Sequence, residues 1–206
     1  MRAQLVLIAI TILLMALSFI DSRSAMSQAI QHAPVIPLLG ILAWCAVRRT
    51  FSHSAFVAMI LFLWLHILGA RYTYSNVPYD EWANASLGLT VSEQFGWTRN
   101  HYDRLVHLMF GVLFALPFVE LARPAMTSKL WQALFSLCAV GAASALYEVA
   151  EWLLTIFVSP VHAERYNGQQ GDMWDPQKDM LLAIIGAAVA LVAMNTQLRK
   201  DKTVAR

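Results

Sequence analysis

Long apolar runs alternate with short polar segments along the chain, and this alternation predicts membrane-spanning helices. Six runs have about the length that a helix needs to cross roughly 30 Å of hydrocarbon. They lie near residues 3–20, 33–47, 55–70, 105–121, 130–158 and 180–194. The pattern therefore predicts an all-α fold, a polytopic bundle of about six transmembrane helices. We expect a single domain over residues 1–206, with a long outer loop near residues 71–104.

The first apolar run admits two interpretations. The segment MRAQ followed by LVLIAITILLMALSFI also resembles a signal peptide. The segment DSRSAMSQA that follows offers only a weak small-residue cleavage site. We therefore expect the first span to be retained, while its cleavage would leave the topology of the other spans unchanged.

Composition supports the membrane interpretation. The chain is 58% hydrophobic and 14% charged, whereas a soluble domain carries about a quarter charged residues. The net charge is only +2, and no basic stripe is interleaved with aromatic residues. We therefore expect the lipid bilayer as the surroundings and no nucleic acid as a partner. Cys45 and Cys138 lie inside apolar runs, and we expect both to be small buried residues and not a disulfide.

The distribution of charge predicts the orientation of the chain in the membrane. Nine of the fifteen Lys and Arg residues fall on one side of the predicted bundle and six on the other. Because basic residues are enriched in cytoplasmic loops, we expect both termini to lie in the cytoplasm. Apart from Glu120 and Asp201, the acidic residues lie on or near the opposite, periplasmic face.

The outer loop is rich in aromatic residues, namely Tyr72, Tyr74, Tyr79, Trp82, Trp97 and Tyr102. One interpretation is an interfacial belt, because Tyr and Trp favour the headgroup region. The other is a lid or a substrate-binding surface over the bundle.

Ionisable residues inside the predicted spans are candidates for a functional site, because such residues are costly in lipid. His66, His107 and Glu148 fall in the outer half of three different spans. Asp103 lies four residues before His107, and Glu151 lies three residues after Glu148, so each pair shares a helical face. Carboxylates and imidazoles from facing helices commonly build metal sites in bundles. The alternatives without a functional site are histidines that are hydrogen-bonded in the core and glutamates that face water.

The segment QGDMWDPQKDM, residues 170–180, carries three acids within eight residues: Asp172, Asp175 and Asp179. Asp175 followed by Pro176 is typical of the start of a helix, and acids in a first turn favour the helix dipole. Capping does not account for Asp172 or for the glycines Gly168 and Gly171, which predict a tight turn. Both capping alone and capping combined with a metal site stay open.

Four segments together resemble the YjdF-like family of bacterial inner-membrane proteins. They are HILGARYTYSNVP (66–78), NHYDRLVHLMFG (100–111), YEVAEW (147–152) and GQQGDMWDPQKDMLLAIIGA (168–187). The resemblance covers nearly the whole chain and implies a polytopic inner-membrane protein. It supplies no reaction, cofactor or catalytic residue.

The polar residues favour a membrane enzyme with a divalent-metal site at the periplasmic face, acting on a lipid or lipid-linked substrate. Oxygen-rich ligands favour Mg²⁺ or Mn²⁺, and the histidines keep Zn²⁺ or iron open. We assign the catalytic role to Asp103, His107, Glu148 and Glu151, the metal to His66, Asp172, Asp175 and Asp179, and the substrate to Arg104, Tyr72 and Tyr74. An ion- or proton-coupled transporter and a non-catalytic scaffold are the alternatives, so whether the protein is an enzyme stays open.

Overall fold

The computed structural model describes residues 1–157 and 169–204, with side chains as far as residue 196. These residues are helical wherever they form regular secondary structure, which confirms the predicted all-α fold. The helices are α1 (Arg2–Leu17), α2 (Ala25–His32), α3 (Val35–Arg48), α4 (His53–Arg71), α5 (Tyr79–Leu87), α6 (Val91–Phe95), α7 (Tyr102–Ala122), α8 (Lys129–Phe157) and α9 (Asp175–Val204). Val158, the predicted end of the fifth span, and Gly168 lie outside the described residues.

Five helical segments of the described chain are long and apolar enough to cross a membrane. They are Ala25–Arg48, His53–Arg71, Tyr102–Ala122, Lys129–Phe157 and Asp175–Thr196. The predicted first span corresponds to α1, which has only 16 residues and is about 24 Å long. The bundle of about six spans is thus confirmed in outline, with five full-length spans and one shorter helix.

The second span begins earlier than the sequence pattern predicted, at Ala25 and not near residue 33. The polar segment SQAIQH lies outside the predicted span, but it forms most of α2, whose polar side chains Gln28, Gln31 and His32 are buried. Ser24 caps this helix by accepting a hydrogen bond from the Ser27 backbone N–H at 3.3 Å. The burial of these side chains in the bundle therefore stabilises α2, a helix that cannot be recognised from the spacing of apolar residues in the sequence.

The two cysteines differ in their surroundings, and both are free. Cys45 is buried, as expected. Cys138 is exposed on the surface of α8, so the expectation that it is buried was wrong. An apolar span has one face toward lipid, and the sequence does not show which residues occupy that face.

The closest approach in the bundle is between α7 and α9. A Cβ atom at Gly111 would overlap the carbonyl oxygen of Ala183, and one at Gly186 would overlap the carbonyl oxygen of Leu108. Ala115, Ala183 and Ala187 are fully buried in the same contact. Small residues let helix backbones touch inside a membrane, where dispersion and not the hydrophobic effect drives helix association. This small-residue seam holds α7 and α9 side by side about two turns beyond their first residues.

The arrangement of the long helices brings their polar ends together. The helix α7 packs against α4, α8 and α9, and α8 also packs against α9. Ser136 on α8 donates a hydrogen bond to the Ala115 carbonyl oxygen on α7 at 2.8 Å, which links these two helices near their middle. As a result, the start of α7, the end of α8 and the start of α9 lie at one end of the bundle.

Candidate metal centre at one end of the bundle

Four ionisable side chains from three helices meet at this end, and we call them the central cluster: Asp103 and His107 on α7, Glu148 on α8 and Asp179 on α9. Asp103, His107 and Asp179 each offer one ligand atom, and these atoms all lie within 4.8 Å of one another. His107 Nε2 lies 3.7 Å from Asp103 Oδ1 and 3.5 Å from Glu148 Oε1. The convergence that the sequence suggested for His107 and Glu148 is therefore present in the structure.

Three members of the central cluster are buried, Asp103 is partly buried, and two of the carboxylate oxygens are not satisfied by other described residues. His107 is 7% exposed, Glu148 8% and Asp179 2%. Glu148 Oε1 and Asp179 Oδ1 have no hydrogen-bond partner among the described residues. A buried carboxylate without a partner costs several kcal/mol unless it is protonated or bound to a cation. Two unsatisfied carboxylate oxygens beside an imidazole therefore form a donor set that suits a divalent cation.

A layer of ion pairs covers the central cluster, and it uses two of the three acids in the segment 170–180. Arg99 donates to Asp175 from two nitrogens, with Nη1 2.5 Å from Oδ1 and Nη2 3.0 Å from Oδ2. Arg104 Nη2 donates to Asp172 Oδ2 at 2.5 Å and to Asp175 Oδ1 at 3.1 Å. Lys178 Nζ lies 2.5 Å from the same Asp172 oxygen. Asp172 and Asp175, which we had assigned to the metal, are thus both engaged by basic side chains.

Charge within the described residues at this end is unbalanced. Six carboxylates lie near the cluster, on Asp103, Glu148, Glu151, Asp172, Asp175 and Asp179, against the three cations Arg99, Arg104 and Lys178. Those cations are engaged by Asp172 and Asp175. The carboxylate of Glu151 lies close enough to Asp103, Glu148 and Asp179 to interact with their charges. Among the described residues, the inner acids therefore have fewer basic side chains beside them than the outer acids Asp172 and Asp175 do.

The ion-pair layer keeps its charges. The hydrogen bond from Lys178, helped by those from the Trp174 backbone and Arg104, lowers the pKa of Asp172 to about 2. Burial alone would lower the pKa of Arg99, but the hydrogen bond and the charge of Asp175 outweigh burial and raise it. Asp172 and Arg99 are therefore both ionised at neutral pH.

The turn before α9 is stabilised by one of the acids that also form the ion pairs. Asp172 Oδ1 accepts a hydrogen bond from the Trp174 backbone N–H at 3.1 Å, so Asp172 also stabilises the turn, contrary to our expectation from the sequence. Gly171 has a φ of +83°, which confirms the tight turn predicted there. Helix α9 begins at Asp175, the residue that pairs with Arg99.

Backbone contacts of Asn100 hold the loops in place around this layer. The Asn100 N–H donates to Gln170 Oε1 at 2.9 Å, and Gln170 Nε2 donates back to the Asn100 carbonyl oxygen at 3.0 Å. Asn100 Nδ2 donates to the Val77 carbonyl oxygen at 2.8 Å. We assigned no role to Arg99 or Asn100 from the sequence. The available signal was their position just before α7, the helix that carries the selected residues Asp103 and His107.

His66 belongs to a second polar group, which it forms with Gln31 and Tyr74. Its Nε2 is 3.1 Å from the Gln31 carbonyl oxygen, and its Nδ1 is 2.6 Å from the Tyr74 hydroxyl. Because a carbonyl oxygen only accepts, Nε2 donates to Gln31 and Nδ1 accepts from Tyr74. Both ring nitrogens of His66 are thereby used, and the geometry does not favour His66 as a metal ligand.

A cavity of about 230 Å³ joins the two polar groups. Asp103 and His107 line one part of it, and His66 and Tyr74 line another. Tyr72 points elsewhere, with its ring 5.9 Å from the Trp82 ring. Of the residues that we had assigned to a substrate, Tyr74 thus lines the cavity, Arg104 is engaged in ion pairs, and Tyr72 lies apart from both.

Comparisons with known proteins identify the family. The family model described as "Predicted membrane protein (DUF2238)" matches residues 3–200. The chain is 30% identical over 175 residues to the inner membrane protein YjdF of Escherichia coli (strain K12), covering 84% of this chain and 79% of that protein. No solved structure matches the chain. The resemblance to the YjdF-like family is confirmed, and the chain belongs to the DUF2238 family of membrane proteins.

Proposed function

We propose that the protein binds one divalent cation through Asp103, His107 and Asp179 and uses it in a reaction on a lipid or lipid-linked substrate. The observation that carries this proposal is the central cluster itself, with three ligand atoms within 4.8 Å of one another. The two unpartnered carboxylate oxygens at Glu148 and Asp179 support it. So does the engagement of the nearby cations by other acids.

The donor types narrow the choice of ion. Carboxylates suit Mg²⁺ and Mn²⁺, whereas imidazole suits Zn²⁺ and iron. Two carboxylates with one imidazole form a mixed set, so Mn²⁺, Zn²⁺ and Fe²⁺ fit it better than Mg²⁺ does. Three protein ligands would leave coordination positions for water or substrate, and a bound divalent ion lowers the pKa of such a water.

Glu148 is the best-placed general base. Its Oε1 lies 3.5 Å from His107 Nε2 and has no hydrogen-bond partner among the described residues. A carboxylate beside a metal site can accept a proton from a metal-bound water during hydrolysis. Glu151 lies one turn further along α8 and is a second candidate for moving that proton outward.

We place the site at the periplasmic face of the inner membrane, with both termini in the cytoplasm. This orientation is supported by the excess of Lys and Arg on the opposite side of the bundle. The ends of α7 and α9 that carry the cluster lie away from the turn containing Arg123 and Lys129. A periplasmic site at this depth would meet lipid substrates in the outer leaflet of the membrane.

The metal content of the detergent-purified protein tests the proposal. We expect about one divalent ion per chain in the parent protein, with the ion lost in Asp179→Asn and His107→Gln, because removing one of three ligands weakens a small site strongly. Glu93→Gln is the matched control, since Glu93 is an exposed acid of the outer loop. Elemental analysis by inductively coupled plasma mass spectrometry gives the stoichiometry.

Two results would contradict the proposal. One is a parent protein that retains no divalent ion after purification and does not take one up from Mn²⁺ or Zn²⁺ solutions. The other is equal metal content in the parent, Asp179→Asn and His107→Gln. Either result would favour a protein whose polar residues only hold the bundle together.

A further inference from the structure

The cavity beside the central cluster has mainly apolar walls. Its back wall comes from α4 and α7, where Phe62 and Phe110 face each other with ring centroids 5.4 Å apart. Its sides come from Leu38 on α3 and from Ala143 and Ser144 on α8. The cavity therefore runs from an apolar region between four helices to the carboxylate and imidazole groups of Asp103 and His107.

The packing of the helices indicates where this cavity opens. Helix α3 packs on α1 and α2, whereas α8 packs on α7 and α9. In the part of the chain that the structure describes, Leu38 on α3 and Ala143 on α8 line the cavity and are both partly exposed, so the cavity opens at the gap between these two helices. In a bilayer, the gap between them would face the hydrocarbon of the leaflet on the cluster side.

A hydrocarbon chain is the most favourable occupant of this cavity. An empty apolar space forfeits the dispersion contacts of its walls. Water does not compensate in an apolar space, whereas lipid chains are as apolar as leucine and are available from the bilayer without a hydrophobic cost. A volume of about 230 Å³ is slightly below the range of whole-ligand pockets, which begins at roughly 300 Å³. The space therefore suits one chain and not an entire lipid.

Ser144 supplies a polar contact at the end of the apolar space. It is 2% exposed and lines the cavity, and its hydroxyl has no hydrogen-bond partner among the described residues. Ser144 lies four residues before Glu148 on α8, so the two side chains share one helical face. A ligand whose chain fills the apolar part would bring its polar end to this hydroxyl and to the central cluster.

We infer that the cavity binds one hydrocarbon chain of a membrane lipid, which enters between α3 and α8, and that the polar end of that lipid reaches Ser144 and the central cluster. The assignment of this lipid as the substrate rests on the proposed function. Binding of the chain does not, because it depends only on the cavity and its opening.

Photocrosslinking in vesicles tests the inference. The probe is phosphatidylglycerol with a diazirine near the end of one acyl chain, in vesicles of phosphatidylethanolamine and phosphatidylglycerol. We expect mass spectrometry to find label on the α4 and α7 peptides that contain Phe62 and Phe110. Ala143→Phe fills the cavity and should abolish that label. Ala142→Phe adds the same ring to the exposed neighbouring position and should leave the label unchanged.

Label on Leu146, which is 70% exposed, normalises the comparison, because lipid contacts it in every variant. Leu38→Trp fills the cavity from α3 and is a second variant in case Ala143→Phe does not fold. Absence of label at Phe62 and Phe110 in the parent, or equal label in parent and both filled variants, would overturn the inference. Metal content of the same samples separates the two proposals: label without metal contradicts the proposed function alone, and metal without label contradicts this inference alone.

Discussion

Substituting Gly111→Val is expected to unfold the bundle or to lower its stability by at least about 3 kcal/mol, the upper end of the usual cost of overpacking. A Cβ atom at Gly111 would overlap the backbone carbonyl of Ala183, and a backbone atom cannot move aside as a flexible side chain can. The helices α7 and α9 would have to separate, with loss of their dispersion contacts. Thermal unfolding of the detergent-solubilised protein measures the effect.

Gly40→Val is the matched control for this prediction. Gly40 lies inside α3, and nothing lies within 4 Å of the position that its Cβ would take. The control therefore adds the same side chain to a helix without a steric conflict. Gly111→Val should also lose bound metal in any fraction that stays folded, because the seam aligns His107 with Asp179. Equal unfolding temperatures for the two variants would show that α7 and α9 do not touch at Gly111.

The second large effect is expected from Asp175→Asn, which should cost about 3–5 kcal/mol, the usual range for breaking a buried ion pair. Asp175 is 2% exposed, accepts two hydrogen bonds from Arg99 and accepts one from Arg104. An asparagine would remove the negative charge that accepts two hydrogen bonds from the Arg99 guanidinium. Thermal unfolding again gives the change, with Glu93→Gln as the exposed control.

A double-mutant cycle shows whether this cost belongs to the pair. Arg99→Gln combined with Asp175→Asn should be less destabilised than the sum of the single variants, because both single variants lose the same ion pair and the double variant loses it only once. If the costs of the two substitutions simply add, the side chains act independently and the ion-pair layer described above does not hold α9 in place.

Much of the architecture could be predicted from the sequence because bilayer thickness limits the length of an apolar helix. The ends of α4, α7 and α8 fall within a few residues of the predicted spans. The α2 helix was missed because its polar side chains are stabilised by burial and not by an apolar stripe. The α7–α9 seam was missed because Gly111, Ala183 and Gly186 were counted only as generally apolar residues, although their spacing was the available signal.

The sequence indicated where the polar residues gather along the helices. It did not indicate which of them form the central cluster and which form the ion pairs. Depth along each helix can be counted from the sequence, and it placed His107 and Glu148 at one level. Rotation of one helix against another cannot be counted in this way, so the pairing of Asp175 with Arg99 was not predicted. The same limit applies to His66. Its partner Gln31 depends on the packing of α2 on α4, and its partner Tyr74 depends on the turn that follows α4.

The most direct test of a shared metal centre is electron–nuclear double resonance on the protein loaded with Mn²⁺. Coordination by His107 would produce a coupling from a single imidazole nitrogen, which should change in character when histidine is labelled with ¹⁵N and disappear in His107→Gln. His66→Gln should leave the coupling intact. Bound Mn²⁺ without any nitrogen coupling, or with a coupling that survives in His107→Gln, would contradict a cation held jointly by Asp103, His107 and Asp179.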